Sequence, residues 1–506
     1  MWHGIKLHNL YFSWCHDAMK TPSSSSLLAL LEAPLDRVSA EPLQRQLCRR
    51  IKDAIVAGDL PAGLRLPATR ALAQELVISR NTASMAYEHL LAEGYVVADR
   101  QGTVVAELRT HAHTRTNASS PPSPRLASRL ASLRPSPATT ADCTALRPGV
   151  PALTQFPQAH WRLALAYAAR SATPNTLNYG DPLGELALRA AIASHLAVTR
   201  GVHCTAEQVV VTEGAQEALN LCVRLITNPG DTAWVEDPGY RGGKSALQAG
   251  DLRVLPKRVD AEGLYFTATD WRTEQPRLIY TTPSHQYPLG TVMSVARRLA
   301  LMAAAQAHGA WIIEDDYDSE FRHSGEPIRA MQGLVSDAPV LYVGTFSKTM
   351  FPSLRLGFLV LPERMQPLLQ QPLRELLRGG HSHEQLAMAR FMEAGHFVRH
   401  LARMRRLYRE RQQALRSALG QHLGVPHSIE GGRSGLHLCV RFSANYADVA
   451  VVEAAQRYGM APQALSGFAL EPQTQDNGLV LGYGNTPVET MGPLVKKLGK
   501  ILKGLA

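Results

Sequence analysis

Residues Gly344 to Gly357 read GTFSKTMFPSLRLG. Lys348 follows the apolar run VLYVG and lies among hydroxyls, with Arg355 seven residues further on. A lone lysine is ordinarily a surface residue. An apolar run of this kind, however, is expected to be a buried strand. A lysine buried near the carboxyl end of a sheet loses its proton readily and becomes a nucleophile toward a carbonyl. Thr345 and Ser347 offer hydroxyls to a phosphate, and Arg355 offers a two-pronged guanidinium.

Similar runs lie upstream: QVVVTEG, TAWVEDPGY, RLIYTTPSHQ and WIIEDDYD. They alternate with helical patterns, which predicts βαβ units and a mainly parallel sheet. In IIEDDYDSE, Asp315 and Tyr317 are two apart and face the same side of a strand. An acid there keeps a pyridinium nitrogen protonated, so that the ring acts as an electron sink, and the phenol suits a ring oxygen. In VVVTEGAQEAL a strand leads through Gly214 into a helix, whose Ala215 and Gln216 amides suit a phosphate. Tyr240 in EDPGY can stack on a ring, and TPSHQYPLG puts His285, Gln286 and Tyr287 at a strand end. Each of these, taken alone, is also a common turn or core residue. The last hundred residues carry an Arg-rich amphipathic helix at about 396–419, followed by mixed α/β structure, which predicts a smaller C-terminal subdomain at about 396–506.

The N-terminal part reads differently. LQRQLCRRIKDAIVA puts Leu43, Leu47, Ile51 and Ile55 on one helical face before Gly58. A second short helix is expected from Thr69 to Leu76. A third is capped by Ser79, with Ala83, Tyr87, Leu90 and Leu91 facing inward. YVVADRQGTVVAE then alternates as two short strands around Arg100-Gln101-Gly102. Helices, a tight turn and a hairpin in this order describe a winged helix-turn-helix. Ser79, Arg80, Asn81 and Thr82 at the third helix start, Arg70 on the second, and Arg100 with Gly102 at the wing tip are the candidate DNA contacts.

The chain of 506 residues has a net charge of +10 and 45% hydrophobic residues, enough for about three domains or subdomains. No apolar run approaches a membrane span. Six scattered cysteines with no CxxC pair argue against a disulfide framework or a zinc site, and fit a reducing cytosol. Residues 41–107 balance eight basic against eight acidic side chains. Residues 108–147, rich in Pro, Ser and Thr, hold six arginines against Asp142 alone, the composition of a basic linker. Residues 1–40 form a leader that makes a poor signal peptide, and Met19 is its expected translation start.

GDLPAGLRLPATRALAQELVISRNTASMAYEHLLAEGYVVADRQGTVV is similar to the GntR-type winged-helix pattern GxLPxGxxLPxxRxLAxxLxxSRxTxxxAYxxLxxxGY. Val77 stands where that family often has Gly, and Val104 where it often has Phe. The C-terminal motifs resemble the fold-type I aminotransferases. TPSHQ, IIEDDYDSEFR and GTFSKTMFPSLRLG, joined to a GntR winged helix, resemble the MocR subfamily of regulators, over roughly 41–107 and 148–490.

The resemblance implies a winged helix at 41–107, a basic linker at 108–147 and a pyridoxal 5'-phosphate-binding, aminotransferase-like domain at 148–506. It implies Lys348 as the Schiff-base lysine, Asp315 on the pyridine nitrogen, Tyr317 on the ring oxygen and Tyr240 stacked on the ring. Gly214, Ala215, Gln216, Thr345, Ser347 and Arg355 take the phosphate, with His285 nearby in the cofactor site and no metal. Tyr179 of NYGDPLG reaches the phosphate of the neighbouring subunit in a head-to-tail homodimer. The implied partners are operator DNA and a small amine or amino acid, or pyridoxal phosphate itself. One departure stands out. Aminotransferases usually carry an arginine for the substrate carboxylate in a late strand, and NGLVLGYGN (Asn477 to Asn485) has none. A sensing regulator, a working aminotransferase with a tethered winged helix, and a protein with one vestigial domain all remain open at this level.

Overall fold

The computed structural model describes residues 34–108, 125–131, 133, 144–174, 176–325, 328–442 and 446–505. Met19 and most of both the leader and the linker lie outside the described residues. The chain divides into two units, the first ending at Pro124 and the second starting at Arg125.

In the first unit, α1 (Leu43–Ala57), α2 (Thr69–Glu75) and α3 (Arg80–Ala92) precede a hairpin of β1 (Val96–Asp99) and β2 (Gly102–Val105). Leu47, Ile51 and Ile55 of α1 pack against Leu72 of α2 and against Ala83, Tyr87 and Leu90 of α3. Burying each large aliphatic side chain contributes about 1.5–3 kcal/mol. Leu91, expected inward, is 46% exposed, because the inward stripe passes through Leu90 and Tyr87 instead. Leu35 joins this core and Asp36 accepts two amides ahead of α1, so the folded unit begins inside the stretch read as leader. Residues 63–66 pair with β2, giving the wing a third edge.

The second unit holds α4 (Gln158–Arg170), α5 (Leu186–Arg200), β3 (Val209–Thr212), α6 (Ala215–Ile226), β4 (Thr232–Asp237), α7 (Arg241–Ala249), β5 (Arg253–Asp260) and β6 (Gly263–Leu264). There follow α8 (Ala268–Glu274), β7 (Leu278–Thr281), α9 (Val295–Ala307), β8 (Trp311–Asp316), β9 (Val340–Thr345) and β10 (Gly357–Val360). The eight strands run in the order β3-β10-β9-β8-β7-β4-β5-β6. The central strands are parallel, while β10 runs antiparallel to both neighbours and β6 is antiparallel to β5. The middle of the sheet is buried on both faces, which is why its strands read as unbroken apolar runs. Functional loops sit at the carboxyl ends of such strands.

After α10 (Gln366–Leu376) and α11 (Ser382–Glu393), the long α12 (His396–His422) leads to a second, antiparallel sheet. That sheet comprises β11 (His427–Glu430), β12 (His437–Phe442), β13 (Gln463–Ala464) and β14 (Gly478–Gly482), in the order β11-β12-β14-β13, with α13 (Asp448–Gln456) and α14 (Val488–Leu505). The drawn boundaries shift here. Ala145 pairs with Met460, the Leu146 carbonyl accepts from the Gly482 amide, and Leu146 is fully buried. Residues 144–147, read as linker, are therefore built into the small subdomain, which draws on chain far ahead of 396.

Candidate functional site

In the first unit, Ser79 Oγ accepts from the Thr82 amide at 3.0 Å and bonds Thr82 Oγ1 at 2.8 Å. This satisfies one donor left open at the start of α3. Arg80 and Asn81 are exposed on the first turn of α3, as are Arg70 on α2 and Arg100 at the wing tip. Gly102 has φ +138°, and a side chain there would lie 3.3 Å from Arg65 Nη1. Arg65 escaped sequence reasoning. It grips Asp99 through two bonds of 2.9 and 2.7 Å, braces the wing, and holds the Asp99 carboxyl down to about 2. Its only signal is a basic residue in GLRLP, 34 positions from its partner.

In the second unit, the carboxyl ends of the large sheet and the edge of the small one enclose a cavity of about 540 Å³. Ala215, Gln216, Tyr240, Asp315, Tyr317, Thr345, Ser347, Lys348 and Arg355 all line it. Nine of the expected residues, drawn from four separate motifs, are thus brought together.

Gly214, at φ +84°, turns the chain from β3 into α6. Gly357 faces it so closely that a side chain on Gly357 would come within 2.6 Å of the Gly214 carbonyl carbon. This close approach sets the N-terminus of α6 beside Arg355, whose guanidinium donates to the Glu213 carbonyl at 2.7 Å. The Ala215 end of the helix, Ser347, Thr345 and Arg355 converge on one side of the cavity, a ready anion site.

On the floor, Asp315 Oδ2 accepts from the Tyr280 hydroxyl at 2.7 Å, while Oδ1 is buried without a partner. Burial pushes the Asp315 carboxyl up to about 7, against the Tyr280 hydrogen bond. Lys348 Nζ donates to the Gly149 carbonyl at 2.8 Å, and burial lowers its pKa against the pull of Asp318 and Asp315. Tyr317 lies just beyond the end of β8, and its buried hydroxyl donates to the His285 carbonyl at 2.9 Å. Burial raises that phenol, as it raises Tyr240 to about 12. Tyr240 meets Tyr287 edge-on, with ring centres 5.9 Å apart.

Three expected residues stand elsewhere. His285 does not line the cavity: it is buried behind Tyr317, its Nδ1 2.9 Å from Asp318 Oδ1 and 3.0 Å from the Tyr317 hydroxyl. Gly214 lies one residue behind the wall. Tyr179 is 79% exposed and away from its own chain's cavity. The wall also contains Gly149, Asp318, His437, Gln463 and Phe468, which were not singled out in the sequence. Val480 of β14 packs into a core cluster with Leu289, Cys439, Leu465 and Phe468, so the strand offers the cavity no arginine.

The donor set fits pyridoxal phosphate. An unpartnered buried carboxylate oxygen suits a ring N–H, a buried lysine suits the aldehyde, and a helix start with an arginine suits the phosphate. Among the described residues no helix is long and apolar enough to cross a membrane.

Residues 145–470 match the aminotransferase class I and II family, and residues 43–105 match the gntR family of bacterial regulatory proteins. The chain is 39% identical over 466 residues to the probable rhizopine catabolism regulatory protein MocR of Rhizobium meliloti, covering 90% of this chain and 93% of the relative. It is 31% identical over 482 residues to the pyridoxine biosynthesis transcriptional regulator PdxR of Corynebacterium glutamicum, covering 92% and 97%. Among solved structures it is similar to the α-aminoadipate aminotransferase LysN of Thermus thermophilus, complexed with N-(5'-phosphopyridoxyl)-L-leucine. That match has a TM-score of 0.65 and 27% identity, and covers 75% of this chain and 95% of that one. The aminotransferase class I and II match and this cofactor-complexed neighbour indicate that the chain binds pyridoxal phosphate. With a DNA-binding winged helix of the gntR family ahead of an aminotransferase domain, and these relatives along nearly its whole length, the chain belongs to the MocR-type transcriptional regulators.

Proposed function

We propose that the chain senses a small amine, an amino acid or pyridoxal phosphate itself at Lys348, and that this sets the affinity of its winged helix for operator DNA. The observation that carries the reading is Asp315 Oδ1, buried and unpartnered in the same cavity as Lys348 Nζ. Leaving such an acceptor unsatisfied is costly, and a ring N–H satisfies it.

Bound there, pyridoxal phosphate supplies a carbonyl that condenses with amines and a ring that withdraws electrons. The chain's own residues do the rest. The α6 amides, Ser347, Thr345 and Arg355 hold the phosphate, and Asp315 keeps the proton on the ring nitrogen. Tyr317 stays protonated and would turn its one hydroxyl proton from the His285 carbonyl to the ring oxygen, while Tyr240 would cover a ring face. Burial leaves more of the Lys348 amine neutral and nucleophilic. With its amine free, Lys348 holds the Gly149 carbonyl at 2.8 Å; condensation with the cofactor's carbonyl would release that contact, and a ligand amine that freed the lysine would allow it to form again. Residues 144–147, just ahead of Gly149, are hydrogen-bonded to the small subdomain, so the exchange biases the placement of that subdomain. A ligand shifts such an equilibrium only by binding the two arrangements unequally.

Two chains pair head to tail in the cytosol, and Tyr179 of the partner subunit reaches the phosphate; its exposure within one chain supports this. Arg70, Ser79, Arg80, Asn81, Thr82, Arg100 and Gly102 meet the DNA. A second reading, turnover as an aminotransferase, draws on the complete Lys348, Asp315 and Tyr317 set. The lack of an arginine on β14 weighs against it, because a bidentate clamp orients an α-carboxylate.

The test is a visible absorbance spectrum of the cofactor-loaded protein against a panel of amines, followed by DNA-binding titrations with each amine that acts. A band that one amine shifts, together with a changed DNA affinity, supports sensing and names the ligand class. A band that no amine shifts points to the cofactor itself as signal. Steady turnover of amino donor and keto acid without any change in DNA affinity overturns the regulatory reading.

A further inference from the structure

The winged helix carries as many acidic as basic side chains, yet duplex DNA is a dense polyanion whose nonspecific binding rests on basic residues. The Arg-rich helix α12 of the other unit is the counterpart. It holds seven arginines against one acid, Glu410. The seven divide into two sets. Arg405 pairs with Glu320 at 2.8 Å, Arg411 donates to the Gly484 carbonyl, and Arg416 donates to the Gly431 carbonyl. These three fasten the helix inward. Arg399, Arg403, Arg406 and Arg409 are exposed. Arg399 and Arg403 touch only uncharged groups, the Ala394 carbonyl, His396 and the Gln155 side chain. Arg406 and Arg409 make no hydrogen bond or ion pair with a described residue. Packing of α12 needs none of these four charges.

We infer that the outward arginines of α12 bind the phosphate backbone of duplex DNA, giving the regulator a second, sequence-independent contact in its aminotransferase-type unit. From Arg399 to Arg409 the helix advances about 15 Å. That length of duplex axis carries about nine phosphate charges. The occupant is duplex DNA because the chain already carries a reader for it, and that reader brings no net charge of its own. The inference rests on the DNA-binding reading only for the identity of the polyanion.

The experiment uses the full chain loaded with cofactor and a 40-base-pair duplex of random sequence, with affinity measured against salt concentration. Three variants are compared with the parent: Arg403→Ala/Arg406→Ala/Arg409→Ala, the same three positions changed to Lys, and the reader variant Arg80→Ala/Arg100→Ala. Neutralising a phosphate contact is worth about 0.9 in the salt slope. The triple Ala variant is expected to flatten the slope by about 2 to 3 and to weaken binding at low salt. The triple Lys variant keeps the slope, because the phosphate contact needs charge rather than a fork. An unchanged visible band confirms that the Ala variant is folded.

A slope equal to the parent's in the triple Ala variant overturns the inference. If the reader variant keeps full binding while the helix variant loses it, the assignment of the winged helix fails and that of α12 stands. If the triple Ala variant keeps its DNA slope but loses co-sedimentation with phosphatidylserine vesicles, the face belongs to a lipid surface and the inference is wrong.

Discussion

The winged helix holds its candidate chemistry on exposed side chains within 33 residues of one another, from Arg70 to Gly102. The cofactor pocket gathers its own from Ala215 to Arg355, with Asp315 buried, Lys348 and Tyr240 half-buried, and Arg355 exposed at the rim. The difference is one of physics as much as of layout. An exposed arginine acts through its charge and tolerates small displacements. A buried lysine or aspartate acts through a perturbed proton equilibrium, which depends on every group packed around it. The reader should therefore be broken piecemeal, and the pocket by single changes.

The sharpest way to test this contrast is Lys348→Ala. It removes the only lysine among the described residues that line the cavity. The cofactor-dependent visible band should vanish entirely, while the ligand-free protein should keep its DNA affinity within about twofold. Loss of DNA binding in the ligand-free variant would show that the two regions are not separable.

Asp315 gives the next largest effect. Without cofactor, burial raises its carboxyl from the ordinary 3.8 to about 7. Between pH 4 and 7 the folded chain then holds a proton that the unfolded chain has released. Stability falls as pH rises through that window and levels off above it, at roughly 1.4 kcal/mol per unit of pH for a fully retained proton. Asp315→Asn lacks the titration, so the parent-minus-variant stability curve should fall by a few kcal/mol across the window. Saturation with pyridoxal phosphate should flatten that fall, because a ring N–H stabilises the charged carboxylate. Denaturant titrations at four pH values measure this. A flat difference curve without cofactor would mean that Asp315 is solvated and the floor of the pocket is open.

The same contrast governs what the sequence discloses. Ser79 as a cap, the wing around Gly102, and the Asp315-Tyr317 pair are local: each needs only the spacing of neighbours along a helix or strand. Sheet order beyond parallel βαβ units is not local, and neither are the partners that tune the site. Tyr280 reaches Asp315 across 35 residues, Gly149 reaches Lys348 across 199, and the Leu146 amide donates to the Thr486 hydroxyl 340 positions away. No periodicity encodes such contacts. His285 illustrates the cost. Its motif put it near the cofactor, yet its bonds to Asp318 and Tyr317 place it one layer back. Leu91 failed for the opposite reason: two adjacent leucines both suit an inward stripe, and only packing chooses between them.

Val77 offers the finest test, at the place where local rules and this chain disagree. The turn between α2 and α3 puts it at φ +53°, with its side chain 73% exposed. A β-branched residue is strained in that region, by roughly 1–2 kcal/mol. The GntR-type pattern often has Gly there, which adopts the same backbone freely. The side chain has little packing to lose, although the Val77 carbonyl accepts from Arg37 and must stay in place. Against the relief stands the larger unfolded-state entropy of glycine, about 0.4–1 kcal/mol. Val77→Gly should therefore stabilise the winged helix by about 0.5–1 kcal/mol, read as a rise in its unfolding midpoint, with DNA affinity unchanged. Val77→Ala keeps the Cβ and most of the strain, so it should gain little. Equal gains from both substitutions would trace the effect to the valine side chain instead of the backbone. A loss from Val77→Gly would show that a stiff turn is worth more to the reader than an unstrained one.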